Sequence, residues 1–492
     1  MATEPTPIQR VPSTIIGALA LFIFLWLMDF PKPMVDDLFY TGAGINLAQG
    51  GDLSNPLLAR QEFPSHFFFV YPPLQSYLLA GWLKAFGVNA LSMTAFVALL
   101  YFITAAATIA ILRRHQAPVW LEWLAPLGVS TSLLAVGLRP EPVSIALTMA
   151  GFAFFECGRK RPVSLLLAFC LMVLGASAAP RMALFSAALI LLSVNRLWVL
   201  PTALRPASFR LWAAVGAGII LAILIFLIQI HFRVGEFWHS FHEHAQRVGG
   251  RRTNLLLNFL DENAYLTNAQ FPLVLLLAGL MIFAWQKEWC DLTRITLVLA
   301  GTFPVVALTG GLGAGTLWYI VLTLLFFAAV VVKNQTALES KLKVVIVLAF
   351  CFANIGMLAT VWGLLGGKIK SDRGPEAGVA SDARSTPEHP VLVDSWVARY
   401  LFDYKIPAGI LDIQFAAPFP KSHIVGQMRA GDIYLVGPEN VDVIKKATLL
   451  DLSPAAWIPF GLPNRYFYRY PCQVFVIPEE NCHRLRAKAQ LK

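Results

Sequence analysis

The chain has 492 residues, of which 57% are hydrophobic and only 14% charged, with a formal net charge of +10 and a mean hydropathy of +0.62. A soluble chain carries about a quarter charged residues, so this composition excludes an ordinary soluble globular protein and predicts a polytopic membrane protein. The positive charge falls between apolar runs, as expected of inner-face loops. This placement excludes nucleic-acid binding as its reason.

Apolar runs approaching about 20 residues are read as spans. The first runs from Ser13 to Met28, with no small-residue cleavage site after it, and is expected to be an uncleaved span. A first outer loop, 29–88, follows. Within it, in the stretch Met34 to Pro56, Leu38, Tyr40, Ile45 and Leu47 among small residues carry a helical signal that Gly50-Gly51 stops. The run after Pro73 is too short to span, and is predicted to be an interfacial or re-entrant helix with Tyr71, Tyr77 and Trp82 at headgroup level. Further spans are expected at Asn89–Leu112, Val119–Leu138, from Pro142 to Cys157, Val163–Ala179, from Arg181 to Leu200, and Leu211–Ile230. After a second large outer loop, 231–270, come Phe271–Trp285, Ile295–Thr309, Thr316–Val332 and Val344–Leu365. The fold expected is all-α, with about eleven transmembrane helices, over residues 1–365.

Arg113, Arg114, Arg159, Lys160, Arg161, Arg196, Arg205 and Arg210 fall in inner loops if the N-terminus is cytoplasmic, as do Lys287, Arg294, Lys333, Lys341 and Lys343. Only Arg139 and Arg181 occupy short outer turns. This asymmetry sets the N-terminus inside. An odd number of spans then puts the tail outside. The tail comprises a Gly-, Ser- and Pro-rich linker, 366–390, and a small soluble α/β or β-rich domain, 391–492. The domain carries strand-like pieces VLVDSWVARYLF, HIVGQM, DIYLVG and CQVFVIP. Cys472 and Cys482 stand alone together in it, and outside the cytoplasm a disulfide between them is expected. The other cysteines lie in or beside apolar runs, where a lone thiol is usually a small core residue.

Several residues can carry chemistry. Asp36 and Asp37 lie just outside the first span, where an acid pair can act as general base or metal ligand, or simply start a helix. Arg139 and Arg181 sit at outer membrane edges, able to pair a phosphate or to snorkel to water. In the second outer loop, His239 and His242 are three apart and permit a metal site, although an amphipathic interfacial helix explains them more simply. Arg247, Arg251 and Arg252, beside Gly249-Gly250, can close over a phosphate-bearing donor. Glu141 lies beside Arg139, and a local ion pair is its simplest explanation.

The order of these pieces resembles the polyprenyl-phosphate-sugar glycosyltransferases of the GT-C type, which include protein O-mannosyltransferases and lipid A aminoarabinose transferases. The resemblance rests on Asp36-Asp37-x-x-Tyr40, Gly51-Asp52, Pro56, Tyr71-Pro72-Pro73-Leu74 and Phe86-Gly87. It extends to the outer turns at Arg139-Pro140-Glu141-Pro142 and Ala179-Pro180-Arg181. It implies a transferase of a bacterial inner membrane acting on the periplasmic face. The donor is a polyprenyl-phosphate-linked sugar. The acceptor is a lipid-linked glycan, lipopolysaccharide, cell-wall polymer or protein. Asp36 takes the role of base in an inverting transfer, and Asp37 positions the acceptor or binds a divalent metal ion. Arg139, Arg181 and the second outer loop face the leaving phosphate. Aminoarabinose transferases place a Lys before Pro-Pro, and here that position is Tyr71, so phosphate binding shifts to other residues. The alternative is a secondary transporter or lipid-linked-glycan flippase. Transporters show internal repeats and broken spans near the bilayer midplane, whereas the ionisable residues here gather at the outer edge.

Overall fold

The computed structural model describes residues 35–56, 65–118, 120–122, 124, 138–198, 205–249, 340, 343–348, 391–393, 408–410, 433–436 and 473–476. The first span, the spans from Phe271 to Val332, the linker, Arg251, Arg252, Cys472 and Cys482 lie outside these residues, as do the side chains of Asp36, Asp37, Arg181 and Arg247.

The helices with described bounds are α1 Val35–Ala48, α2 Leu74–Phe86, α3 Ala90–Arg114, α4 Pro140–Gly158, α5 Pro162–Ala178, α6 Ala183–Trp198, α7 Arg205–Gln229 and α8 Val234–Gly249, and residues 120–122, 124, 340 and 343–348 are also helical. Several boundaries have a sequence cause. Proline begins α4 and α5, where its missing N–H costs nothing. The Asn89 side chain caps α3 by accepting from the Ser92 N–H at 2.9 Å. Gly50 ends α1 with φ +94°, a left-handed turn natural to glycine.

Leu91–Arg114 and Phe209–Gln229 are long and apolar enough to cross a membrane, and Pro162–Ala178 and Phe185–Trp198 are shorter apolar helices. Five of the expected spans thus coincide with helices α3 to α7. α2 has 13 residues, about 20 Å of helix against a hydrocarbon core of about 30 Å. Gln75, in its first turn, donates to the Leu138 carbonyl before α4. Trp82, in its last turns, donates to the Ser92 carbonyl at the start of α3 at 2.8 Å. By length α2 is too short to span.

α5 is the central helix, packing against α4, α6 and α7 and touching α2. A Cβ at Gly175 would lie 2.8 Å from the Ser144 carbonyl oxygen of α4. One at Gly218 of α7 would collide with the Leu166 carbonyl oxygen of α5. Small residues at such crossings let backbones approach where lipid offers no hydrophobic drive for association. Ser144 donates across the crossing to the Gly175 carbonyl at 2.6 Å, and Thr148 and Ser186 bond at 2.7 Å between α4 and α6.

The contacts at helix ends fall into two groups. At one end, Glu156 of α4 accepts from Arg196 of α6 and pairs with His115 after α3 at 3.1 Å, and Arg113 pairs with Glu122 at 3.0 Å. The C-terminal ends of α3, α4 and α6 meet there. At the other end, Leu138 meets Gln75, and the Gln229 carbonyl closing α7 accepts from the Tyr77 hydroxyl at 3.2 Å.

In the tail, β1 Val391–Val393, β2 Ala408–Ile410, β3 Ile433–Val436 and β4 Gln473–Val476 form one sheet in the order β2-β1-β3-β4. β1 runs parallel to β2 and β3, with Val391 opposite Ala408 and Ile433. β3 and β4 are antiparallel, with Ile433 opposite Val476. Three of the strand-like pieces form strands, and HIVGQM lies outside the described residues. The parallel pairs make this a mixed sheet, and β2 adds a strand the sequence reading missed.

Candidate active site

Asp36 and Asp37 are the second and third residues of α1, one turn before Phe39 and Tyr40. From Phe39 to Ile45 this helix is buried. Gly44 lets it lie close to α2, since a Cβ there would come within 2.9 Å of the Ser76 carbonyl oxygen. The Asn55 side chain donates to the Phe39 carbonyl at 3.0 Å and holds the returning loop against the helix.

Tyr40 contacts Tyr71 edge to face, with ring centroids 4.7 Å apart. Tyr71 is buried and precedes Pro72-Pro73, whose restricted backbone leads into α2. The acid-pair helix and the Pro-Pro turn are therefore packed together. On the far side of α2, the Gln75–Leu138 bond brings the turn bearing Arg139 to the first loop. Arg139 is 8% exposed and sits at the N-cap of α4, and Glu141 in the first turn is 2% exposed. Arg139 is thus packed among protein groups. A carboxylate at Glu141 also sits favourably at the positive end of the helix. Arg181 lies on a single 3-10 turn, Pro180–Met182, between α5 and α6, and this turn also touches α4.

The second outer loop contributes α8, a strongly amphipathic helix. His239 and His242 are exposed, and His242 stacks on Trp238. Phe237 and Ser240 are buried, and Phe241 and His244 are half-buried. The helix period brings 237, 241 and 244 to one face. The amphipathic reading therefore describes α8 better than the metal reading. Among the described residues no cluster of three His, Cys, Asp or Glu side chains is placed to hold a metal ion. Arg247 lies in the last turn of α8.

α8 is fastened to the first loop at both ends. At its start, Ser65 donates to Glu236 at 2.5 Å and Arg233 pairs with Glu236 at 3.1 Å. The Ser65 hydrogen bond, then Arg233, lowers the Glu236 pKa despite some desolvation. Arg233 also lies over the Phe67 ring at 4.8 Å. Tyr77 meets His231 Nε2 at 3.2 Å, and burial raises the Tyr77 pKa. The turn joining α7 to α8 is strained, because His231 and Phe232 both have positive φ, +53° and +59°. Toward the other end of α8, His244 stacks on Phe39 at 5.7 Å and meets Tyr71 edge-on at 5.7 Å.

Asp52 organises the outer tip of the first loop. Ser54 donates to it through its hydroxyl at 2.5 Å and its backbone N–H at 3.0 Å, and His66 lies 2.5 Å away. These hydrogen bonds, the Ser54 hydroxyl first, hold its pKa down at about 2. Asn46 of α1 donates to the Ser54 hydroxyl at 3.2 Å, joining this knot to the acid-pair helix.

Sequence reasoning found no contact for His244 or Glu236 and did not pair Asp52 with His66. His244 is legible only through its spacing of seven from Phe237. No protein-family model matches the sequence, and no curated protein matches it. Among solved structures, the chain is similar to the crystal structure of ArnT from Cupriavidus metallidurans bound to undecaprenyl phosphate. The identity is 14% and the TM-score 0.47, over 89% of this chain and 95% of that one.

Proposed function

We propose that the chain is an integral-membrane glycosyltransferase that moves a sugar from a polyprenyl-phosphate donor to an acceptor at the outer face of a bacterial inner membrane. The acceptor is a lipid-linked glycan, lipopolysaccharide, cell-wall polymer or protein. The observation that carries this reading is the contact of Tyr40 with Tyr71. It packs the acid-pair helix against the rigid turn and interfacial helix of the first loop, the pieces on which the family resemblance rests.

In this reading Asp36 removes the proton of the acceptor hydroxyl. The acceptor oxygen attacks the anomeric carbon from the face opposite the phosphate. The bond from that carbon to the phosphate oxygen breaks, its electron pair stays with the phosphate, and the sugar is inverted. Asp37 orients the acceptor or holds a divalent metal ion. Arg139, already buried beside the first loop, and Arg181 on the next outer turn stabilise the charge gathering on the phosphate. Arg247, Arg251 and Arg252 close from the second loop, and Tyr71 lines the phosphate end of the donor site.

The test is a transfer assay in membranes supplied with a radiolabelled polyprenyl-phosphate sugar. Label is expected to appear covalently in an acceptor. Sugar or lipid counterflow in proteoliposomes with no covalent product would return the transporter reading instead.

A further inference from the structure

We infer that Arg114, Arg159, Lys160 and Arg161 form a binding site for the headgroup of an anionic glycerophospholipid. The inference rests on the chain being embedded in a membrane and not on the transferase reading, and sugar transfer plays no part in its test.

Residues 159–161 are the whole connection between α4 and α5, and all three are basic. The Arg161 N–H donates to the Gly158 carbonyl at 2.8 Å, and a Cβ at Gly158 would collide with the Ser164 side chain, so the turn is tight. His115 pairs with Glu156 at 3.1 Å, which brings the end of α3 to the last turn of α4. Arg114, next to His115, lies close enough to Cys157 for its charge to act on the thiol. Two segments thus present four cations at one end of the bundle. Arg114, Lys160 and Arg161 are exposed, and Arg159 is half-buried.

The nearby carboxylates are already engaged. Glu156 accepts from Arg196 with one oxygen and meets His115 with the other. Glu122 is paired with Arg113. Arg159 feels the charge of Glu156 but forms no ion pair with it. Among the described residues no carboxylate is ion-paired with any of the four cations. Like charges held this close repel, and a bound anion relieves that cost.

The surroundings point to a lipid as the source of the anion. Trp198, which closes α6, is 79% exposed and packs on Trp212 with ring centroids 6.3 Å apart. Arg196, two residues earlier, reaches Glu156, so this tryptophan pair shares the end that bears the cations. Tryptophan gathers at headgroup depth in a bilayer. Beyond the turn, α4 exposes Phe154 and α5 exposes Val163 and Leu167, so apolar surface for acyl chains begins beside the cations. Guanidinium groups pair phosphate in a bidentate way, and basic segments at a membrane surface attract anionic lipids. A free phosphate would engage only the cations, whereas a phospholipid engages both the cations and the apolar surface.

The experiment uses the delipidated full-length protein in detergent. Phosphatidylglycerol is titrated in, bound lipid is counted by native mass spectrometry, and the thermal unfolding midpoint is followed. The variants are the triple Arg159→Gln/Lys160→Gln/Arg161→Gln and the single Arg114→Gln. Arg210→Gln, an exposed position on α7, controls for loss of charge alone. Wild type is expected to bind phosphatidylglycerol saturably with a raised midpoint. Phosphatidylcholine and inorganic phosphate should leave the midpoint unchanged. The triple variant should lose on the order of tenfold or more in affinity, Arg114→Gln several-fold, and Arg210→Gln nothing. Equal binding by the triple variant and wild type would overturn the site. So would equal binding of phosphatidylcholine, an equal loss in Arg210→Gln, or a midpoint raised as far by inorganic phosphate. Should the triple variant not fold, Arg114→Gln decides alone, and wild-type affinity in it would overturn the site.

Discussion

The ring of Tyr40 meets that of Tyr71 edge-on, with centroids 4.7 Å apart and planes at 85°. One follows the acid pair by a single helical turn, and the other opens the Pro-Pro turn some thirty residues later. Through this contact the first outer loop folds back on itself as one packed unit. Removing it should therefore be felt in both stability and chemistry. Tyr71→Ala is expected to destabilise by about 2–4 kcal/mol, through lost burial and the cavity left behind. Tyr71→Phe keeps the ring contacts with Tyr40 and His244 and should cost less stability than Tyr71→Ala, which thermal melting of both variants in detergent would show.

Gly44 marks the closest approach of α1 to α2. A Cβ there would come within 2.9 Å of the Ser76 carbonyl and 3.3 Å of the Leu79 Cβ. Backbone cannot yield as a flexible side chain can, so Gly44→Ala should cost about 1–3 kcal/mol. The check is a lowered unfolding midpoint with reduced transfer. An unchanged midpoint would mean that the two helices separate without penalty.

At the opposite end of the bundle, Glu156 is 3% exposed in its side chain and joins Arg196 to His115. Glu156→Ala leaves the mostly buried Arg196 without this carboxylate. Breaking a buried pair from one side costs about 3–5 kcal/mol. The expected readout is a large fall in thermal midpoint, with donor affinity unchanged in the protein that remains folded. A wild-type midpoint would show the network to be dispensable.

Asp52 gives a pH-dependent prediction. Hydrogen bonds from Ser54, then the pairing with His66, lower its pKa from 3.8 to about 2. A depressed carboxylate contributes stability above its unfolded pKa and loses it as pH falls toward the folded value. The stability difference between wild type and Asp52→Asn should therefore be constant near neutral pH and shrink between about pH 4 and pH 2. Parallel melting curves at a series of pH values would show it. A difference that grows on acidification would contradict the assigned ionisation.

Much of the helical course was legible in the sequence because span ends are written in strong local signals. Pro140, Pro162, Asn89 and the basic residues after Leu112 and Gly158 set helix boundaries within a few residues. The short α2 was separable from a span by length alone. Contacts between elements were not legible. Glu156 and Arg196 are 40 residues apart, and Ser65 and Glu236 are 171 apart. Nothing local in either segment announces its partner. The three nearby histidines of α8 look alike in a linear reading, and only the helix period separates His244 from His239 and His242. β2, just Ala-Gly-Ile, lacks the alternation that marks a strand, and it forms by pairing with β1.

The most direct measurement is sugar transfer from a radiolabelled polyprenyl-phosphate pool by Asp36→Asn against wild type, in membranes with equal amounts of folded protein. The amide keeps the size of the side chain and removes the base. General-base catalysis contributes about 10²–10⁴-fold. A fall in rate of that order, with farnesyl phosphate binding retained, is the predicted result. Equal transfer by the two proteins would contradict Asp36 as the base.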